Sequence, residues 1–226
     1  MSAANESVSD TPDNLSETTV SRLKLRIRAE IAAGRMEPGV RMKLAEIAER
    51  FNVSHMPVRE ALGQLSAEGL VILLPNKGAT VRPVDRQFID EMYDVRGALE
   101  GMMARRCAER VTPDHVRVLK ALTDAYAMAA RRDDLPAMVQ TNRELHRRIT
   151  LIVGNEHALR LLDHGWELIF GFRMRHGPTP IRMEQILREH ADLIAAIERR
   201  DGAAAEEIAK LHSVHAREDV LKLLPD

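Results

Sequence analysis

The chain has 226 residues, 45% of them apolar but only 3% aromatic, with a formal net charge of −1, nine histidines and a single cysteine. This length holds one large domain or two small ones with material for a real core, and the dominance of Ala, Leu, Arg and Glu favours helix over strand. One cysteine excludes an intrachain disulfide, no run approaches the roughly 18 apolar residues of a membrane span, and the N-terminus is acidic rather than a basic, apolar leader, so a cytoplasmic protein is expected.

Residues 1–17, rich in Ser, Asn, Asp and Thr, lack apolar periodicity and are expected to be disordered. From Thr18 to Ala33, Val20, Leu23, Ile27 and Ile31 recur at helical spacing, and Gly34 and the Glu37-Pro38-Gly39 turn follow. Met42 to Phe51 repeats the pattern with Leu44, Ile47, Ala48 and Phe51, and Asn52-Val53-Ser54 connects it to a third helix. Ser54 is the expected N-cap, its hydroxyl accepting from an amide two or three residues on, and Pro57 is tolerated in the first turn. Val58, Ala61, Leu62 and Leu65 then share one face, while His55, Met56 and Arg59 project from the other. The pair reads as helix-turn-helix with its polar end free to enter a DNA groove. The apolar run Leu70 to Leu74, the breakers Pro75-Asn76-Lys77-Gly78 and the returning Ala79 to Arg82 read as a β-wing.

Residues 18–83 are thus expected to form a winged helix-turn-helix domain. Arg59 would read guanine or grip phosphate, and Lys43, Ser54, His55, Met56, Pro57, Lys77 and Gly78 would position the duplex. Charge agrees: residues 20–82 hold eleven basic and six acidic residues, whereas residues 83–226 hold 22 and 24. The bland reading of Arg22 to Arg28 is a solvated helix face.

Residues 84–226 read as helix throughout, broken at Thr112-Pro113, Arg132 to Pro136, Gly154-Asn155, Gly177 to Pro180 and Asp201-Gly202. Six helices are predicted, near 85–111, 113–131, 134–153, 156–175, 181–200 and 203–223; short loops between long helices make an antiparallel bundle. The overall class is mostly α, a winged helix-turn-helix followed by an all-α six-helix bundle. Cys107, in M-M-A-R-R-C-A, suits a small buried hydrophobe.

Asn142 and His146 stand at i and i+4 on one helix face, and His190 and His212 each lie eleven residues from Asp201 at the turn between the last two helices. In an antiparallel hairpin this puts both histidines at one height, about 16 Å from the loop. Three imidazoles and an amide oxygen could converge there; His215, almost a turn beyond His212, is an alternative ligand or a supporting group. A lone helical histidine is more often solvated or hydrogen-bonded.

The stretch V-S-H-M-P-V-R-E-A-L, then L-S-A-E-G-L-V and P-N-K-G-A-T-V, from Val53 to Val81, resembles the DNA-binding domain of the GntR family of bacterial transcription regulators. It departs from the family's usual residues at His55, Leu44 and Ala45. Asn142-Arg-Glu-Leu-His146, Glu189-His190 and His212 resemble the D-x-x-F-H, E-H and final histidine of the FCD ligand-binding domain, and six helices suggest its VanR-type branch. The resemblance implies a homodimeric operator-binding regulator, most simply a repressor of a metabolic operon. It further implies a divalent ion at Asn142, His146, His190 and His212 that holds a small organic acid effector. Asn142 stands in place of an aspartate, removing an anionic ligand, so zinc or nickel is expected over a hard cation, with occupancy falling below about pH 6. Arg96 lies in line with Ile89, Met92, Tyr93 and Met103 and matches the arginine of R-x-x-L-E, here Arg96 to Glu100, as the second clamp on a carboxylate; the plain alternative is an Arg96–Glu100 salt bridge. Two other readings remain: a metal sensor in which the ion is the signal, and a hydrolase using metal-activated water, against which stands the absence of H-E-x-x-H and of a convincing general base.

Overall fold

The computed structural model describes residues 18–75 and 77–224, without the side chains of residues 164, 165, 167 and 168; the tail 1–17 expected to be disordered, and Asn76 of the wing, lie outside the described residues. The chain divides into two compact units, one formed by residues 18–29 and 41–80 and the other by residues 30–40 and 81 onward.

The N-terminal elements are α1 (Thr19–Ala32), β1 (Arg41–Met42), α2 (Leu44–Phe51), α3 (His55–Ala67), β2 (Val71–Leu74) and β3 (Gly78–Val81), the strands lying in the order β1-β3-β2. Leu23 and Ile27 of α1, Ile47 and Phe51 of α2, and Val58, Ala61, Leu62 and Leu65 of α3 are all buried, as their spacing requires. Asn52 ends α2 in the left-handed region at φ 51°, which turns the chain into α3.

Two details depart from the sequence reading. Met42 does not open α2: it is a strand residue opposite Ala79, with Arg41 opposite Thr80, and Lys43 in extended conformation separates strand from helix. Backbone pairing with a strand almost 40 residues away overrides the local helical pattern. Ser54 occupies the N-cap in extended conformation, but its hydroxyl makes no capping bond, so α3 starts on backbone terms alone. Three cations of α1 also have partners: Lys24 and Arg28 pair with Glu68 at the end of α3, and the Arg26 guanidinium lies 4.7 Å from the Phe51 ring centre. This part of the basic excess serves packing.

The second unit carries α4 (Arg86–Arg110), α5 (Pro113–Arg131), α6 (Leu135–Val153), α7 (Glu156–Arg175), α8 (Pro180–Glu198) and α9 (Gly202–Leu223). Every one starts on a side-chain cap: Asp85, Thr112, Asp134, Asn155, Thr179 and Asp201 each accept from an amide three residues on. Six caps at about 1 kcal/mol each fix where the helices begin, and hence the height of every side chain above its loop. The α4–α9 pair is the most extensive contact in this unit, and Gly101 explains its closeness, since a Cβ there would fall 2.8 Å from Lys210 Cγ. Around it Met103, Cys107, Leu119, Leu145, Leu193 and Ile197 form the main core. Burial pushes the Cys107 thiol up to about 12, consistent with a packing role.

Candidate metal centre and nucleic-acid interface

The residues expected at DNA sit together on the winged unit. His55, Met56 and Arg59 are exposed on the first turns of α3, Ser54 is exposed before them, and Pro57 is half-buried. Arg59 has no hydrogen-bond or ion partner among the described residues, leaving its five donors available. Lys43 is exposed and faces Glu46 at 2.5 Å, a surface pair that contributes little and can exchange for phosphate. In the wing, Arg41 donates Nε and Nη2 to the Lys77 carbonyl at 3.3 Å each, holding the strand end while the Lys77 side chain stays exposed. Gly78 is buried rather than presented: at φ 95° its Cβ would lie 2.1 Å from the Met42 carbonyl oxygen, so β1 and β3 meet only if this residue is glycine.

In the helical unit the structure brings His146 of α6, His190 of α8 and His212 of α9 into one buried group whose ring nitrogens lie within 4.8 Å of one another. Ring centres are 5.0 Å apart for His146–His212 and His190–His212 and 5.7 Å for His146–His190. Nitrogens about 2.1 Å from a tetrahedral ion stand roughly 3.4 Å apart, so small side-chain rotations suffice to close on one. His190 is wholly buried and neither ring nitrogen has a hydrogen-bond partner among the described residues; His146 Nε2 is likewise buried and unpartnered. Buried polar atoms are normally satisfied, so these unpartnered nitrogens fit a trio that would hold a divalent cation.

Carboxylates stand behind two of the rings. His212 Nδ1 donates to Glu189 Oε2 at 2.6 Å, which fixes the tautomer and leaves Nε2 as the free lone pair, and His146 Nδ1 is 3.6 Å from Glu100 Oε1. His215 is outside the trio: its Nδ1 contacts Glu189 Oε1 at 2.5 Å and Gln185 Nε2 at 2.8 Å, a supporting position. Asn142, one turn before His146, lines the cavity that His212 also lines.

That cavity has about 500 Å³ of empty space including its mouth, and Arg96, Tyr126, Trp166 and Arg182 also form its wall. Arg96 is buried and donates Nε to Glu100 Oε1 at 2.9 Å, so the intrahelical salt bridge is present, but inside the site rather than on the surface. Its guanidinium also lies 4.3 Å from the Trp166 ring centre. Arg182, Glu189, Tyr126 and Trp166 had no assigned role in the sequence reading. Arg182 and Glu189 carried a usable signal, being two turns apart on one face of α8 and joined by a 2.9 Å ion pair.

Burial pushes the His146 imidazole below its usual range against the pull of Glu100, and pushes His190 and His212 well below it, where the neighbouring rings add to the effect. The unfolded chain protonates these rings at about pH 6.5 whereas the folded chain does not, so unfolding takes up protons and stability is lost as pH falls from about 6.5 towards the folded values. For chelator-treated protein, the unfolding free energy from urea titration is expected to drop steadily from about pH 7 to pH 5, by up to roughly 1.4 kcal/mol per pH unit for each ring, and the midpoint with it. A flat or rising midpoint would contradict the burial of neutral imidazoles.

A winged helix-turn-helix followed by a six-helix bundle defines a DNA-binding regulator of transcription. Comparison with known proteins gives the same class: the FCD domain matches residues 91–215, and the bacterial regulatory proteins of the gntR family match residues 19–81. The chain belongs to the GntR family of bacterial transcription regulators, in the group that carries an FCD domain. It is 26% identical over 197 residues to the HTH-type transcriptional repressor RspR of Escherichia coli, covering 87% of this chain and 86% of that one. It is 28% identical over 204 residues to a protein of Paenarthrobacter nicotinovorans named "Probable D-xylose utilization operon transcriptional repressor", covering 89% of each. Among solved structures, E. coli McbR/YncC superposes with a TM-score of 0.75 over 92% of this chain and 99% of its own, at 19% identity, a likeness of fold.

Proposed function

We propose that this protein is a cytoplasmic, homodimeric repressor of a metabolic operon that holds a divalent ion at His146, His190 and His212 with Asn142, and that changes its grip on operator DNA when a small organic acid binds beside that ion. The observation that carries this reading is the buried trio of imidazoles, with unpartnered nitrogens on His146 and His190 and with His212 in the wall of a cavity. A bound ion supplies a Lewis-acidic position for an effector carboxylate. The chain's own residues do the rest: Glu189 orients His212, Glu100 backs His146, and Arg96 presents a cation at the same wall. Because the trio is neutral and Asn142 adds no charge, zinc or nickel is favoured over magnesium or calcium.

On the DNA side, Arg59 and the exposed first turn of α3 enter the major groove, with Ser54, Lys43 and Lys77 on phosphates. Control of binding then requires only that the effector favour one of two arrangements of the protein, a coupling of typically 1–3 kcal/mol. The apolar and aromatic wall beside His212 favours an organic ligand over the ion alone as the signal. Among the described residues, no helix is long and apolar enough to cross a membrane.

The deciding experiment is elemental analysis of purified protein followed by operator titration. About one equivalent of zinc or nickel per chain, released by dialysis at acid pH, is expected, together with weaker binding to a selected operator fragment when an organic acid is added. Protein that binds operator but takes up no zinc, nickel or manganese would overturn the metal reading. Release that follows metal concentration alone would make the ion itself the signal.

A further inference from the structure

We infer that Arg182 is an anion-binding residue of the cavity, and that the effector it serves is a short dicarboxylate rather than a monocarboxylate. This rests on the reading of the helical unit as an effector domain with a divalent ion.

Arg182 is the third residue of α8, where the Thr179 cap takes its backbone amide, and it is 5% exposed. Its guanidinium spends one nitrogen on Glu189, Nη1 to Oε2 at 2.9 Å; Nε and Nη2 are buried with no partner among the described residues. Those two nitrogens form one edge of the guanidinium, a pair of parallel donors whose spacing matches the two oxygens of a carboxylate. A buried imidazole or amine can escape an unmet demand by losing its proton; a guanidinium cannot. An empty bidentate edge, held inside the wall of the cavity that His212, Asn142 and Arg96 also line, is a place prepared for an anion.

The other guanidiniums nearby are differently engaged. Arg173 donates to the Asp219 carboxylate and, at 3.0 Å, to the Ala216 carbonyl. Arg96 has its Nε taken by Glu100, which closes the equivalent edge. Of these three, Arg182 alone keeps that edge whole among the described residues.

Charge then sets the number of anionic groups. The cavity's three guanidiniums each have a carboxylate, Glu100, Asp219 and Glu189, and cancel in pairs. A divalent ion on three imidazoles and the neutral Asn142 leaves a surplus of about two charges in a buried site, which a dianion removes and a monoanion does not. The same cavity wall includes Met138, Val139 and Ile186, apolar side chains that suit a hydrocarbon segment joining the two carboxylates. One carboxylate lies at the ion, the other on the Arg182 edge.

The test is calorimetric titration of the zinc-loaded full chain with succinate, glutarate and adipate, each beside the monocarboxylate of equal length: butanoate, pentanoate and hexanoate. At least one diacid is expected to bind about tenfold or more tightly than its monoacid, the scale of a charged hydrogen-bonded pair. In Arg182→Lys, which keeps the charge beside Glu189 but lacks the paired donors, and in Arg182→Gln, the ratio should fall to about one with zinc content unchanged. No diacid preference in the wild type, or a preference that survives both variants, overturns the assignment; the wild-type ratio decides alone if neither variant folds. Zinc uptake without diacid preference defeats Arg182 and leaves the metal reading standing. Diacid preference that persists in zinc-free protein does the reverse.

Discussion

The His190→Leu variant is expected to take up no metal and, after chelator treatment, to melt at a higher temperature than the wild type. His190 is 0% exposed, enclosed by the rings of Tyr126 at 5.3 Å, His212 at 5.0 Å and His146 at 5.7 Å. Neither of its nitrogens has a partner among the described residues. A buried polar group left unsatisfied costs about 1–3 kcal/mol, and leucine fills a similar volume without that cost. The gain corresponds to roughly 2–12 °C for a chain of this size. Added zinc should reverse the order, since binding at a thousandfold excess over Kd stabilises the wild type by about 4.1 kcal/mol and the variant not at all. A structural histidine behaves oppositely: its loss lowers stability with or without metal. A metal-free variant that melts below the wild type would therefore remove the observation on which the metal reading depends.

Arg59→Ala is expected to bring binding of a selected operator fragment down to the level of unrelated DNA while leaving melting behaviour unchanged. Its side chain is exposed on the free face of α3, opposite the buried Val58, Ala61, Leu62 and Leu65, and makes no contact that alanine would break among the described residues. A bidentate arginine–guanine contact discriminates by about 1–3 kcal/mol, so two copies on a symmetric operator account for about 2–6 kcal/mol. Lys77→Ala serves as the contrast, because a phosphate contact weakens all sequences alike and lowers the salt slope by about one. The measurement is fluorescence anisotropy at two salt concentrations, with the fragment chosen from a random pool by the wild type. Unchanged operator affinity in Arg59→Ala would show that α3 is not the reading helix.

How much of this was legible in the chain follows from how far apart the cooperating residues lie. Helix starts are local events. Thr112-Pro113 announced α5 to the residue, and Asp201, as the cap of α9, set His190 and His212 at matched distances from one turn. The approach of His146 to that pair was left open by helix spacing and was implied by the resemblance to the FCD domain. What escaped notice was non-local or rotational. β1 is two residues long and exists only because β3 pairs with it; nothing in Arg41-Met42 itself distinguishes a strand from a helix start. The Ser54 hydroxyl had the right residue type and position for a cap, yet residue type does not fix a rotamer. Trp166 and Tyr126 enter the cavity because of the rotation of α7 and α5 about their own axes, which the pattern of apolar residues leaves open to within a turn face.

The aromatic poverty noted at the outset has a practical consequence. The chain has one tryptophan and two tyrosines, and all three, Trp166, Tyr93 and Tyr126, line the same cavity. Apart from four phenylalanines, every near-ultraviolet chromophore of the protein thus stands where a ligand would lie. The protein is its own optical probe: tryptophan emission comes from a single indole stacked against Arg96, and the tryptophan and tyrosine bands of the near-ultraviolet circular dichroism report on that one chamber, Phe51 being the winged unit's aromatic contribution at shorter wavelength.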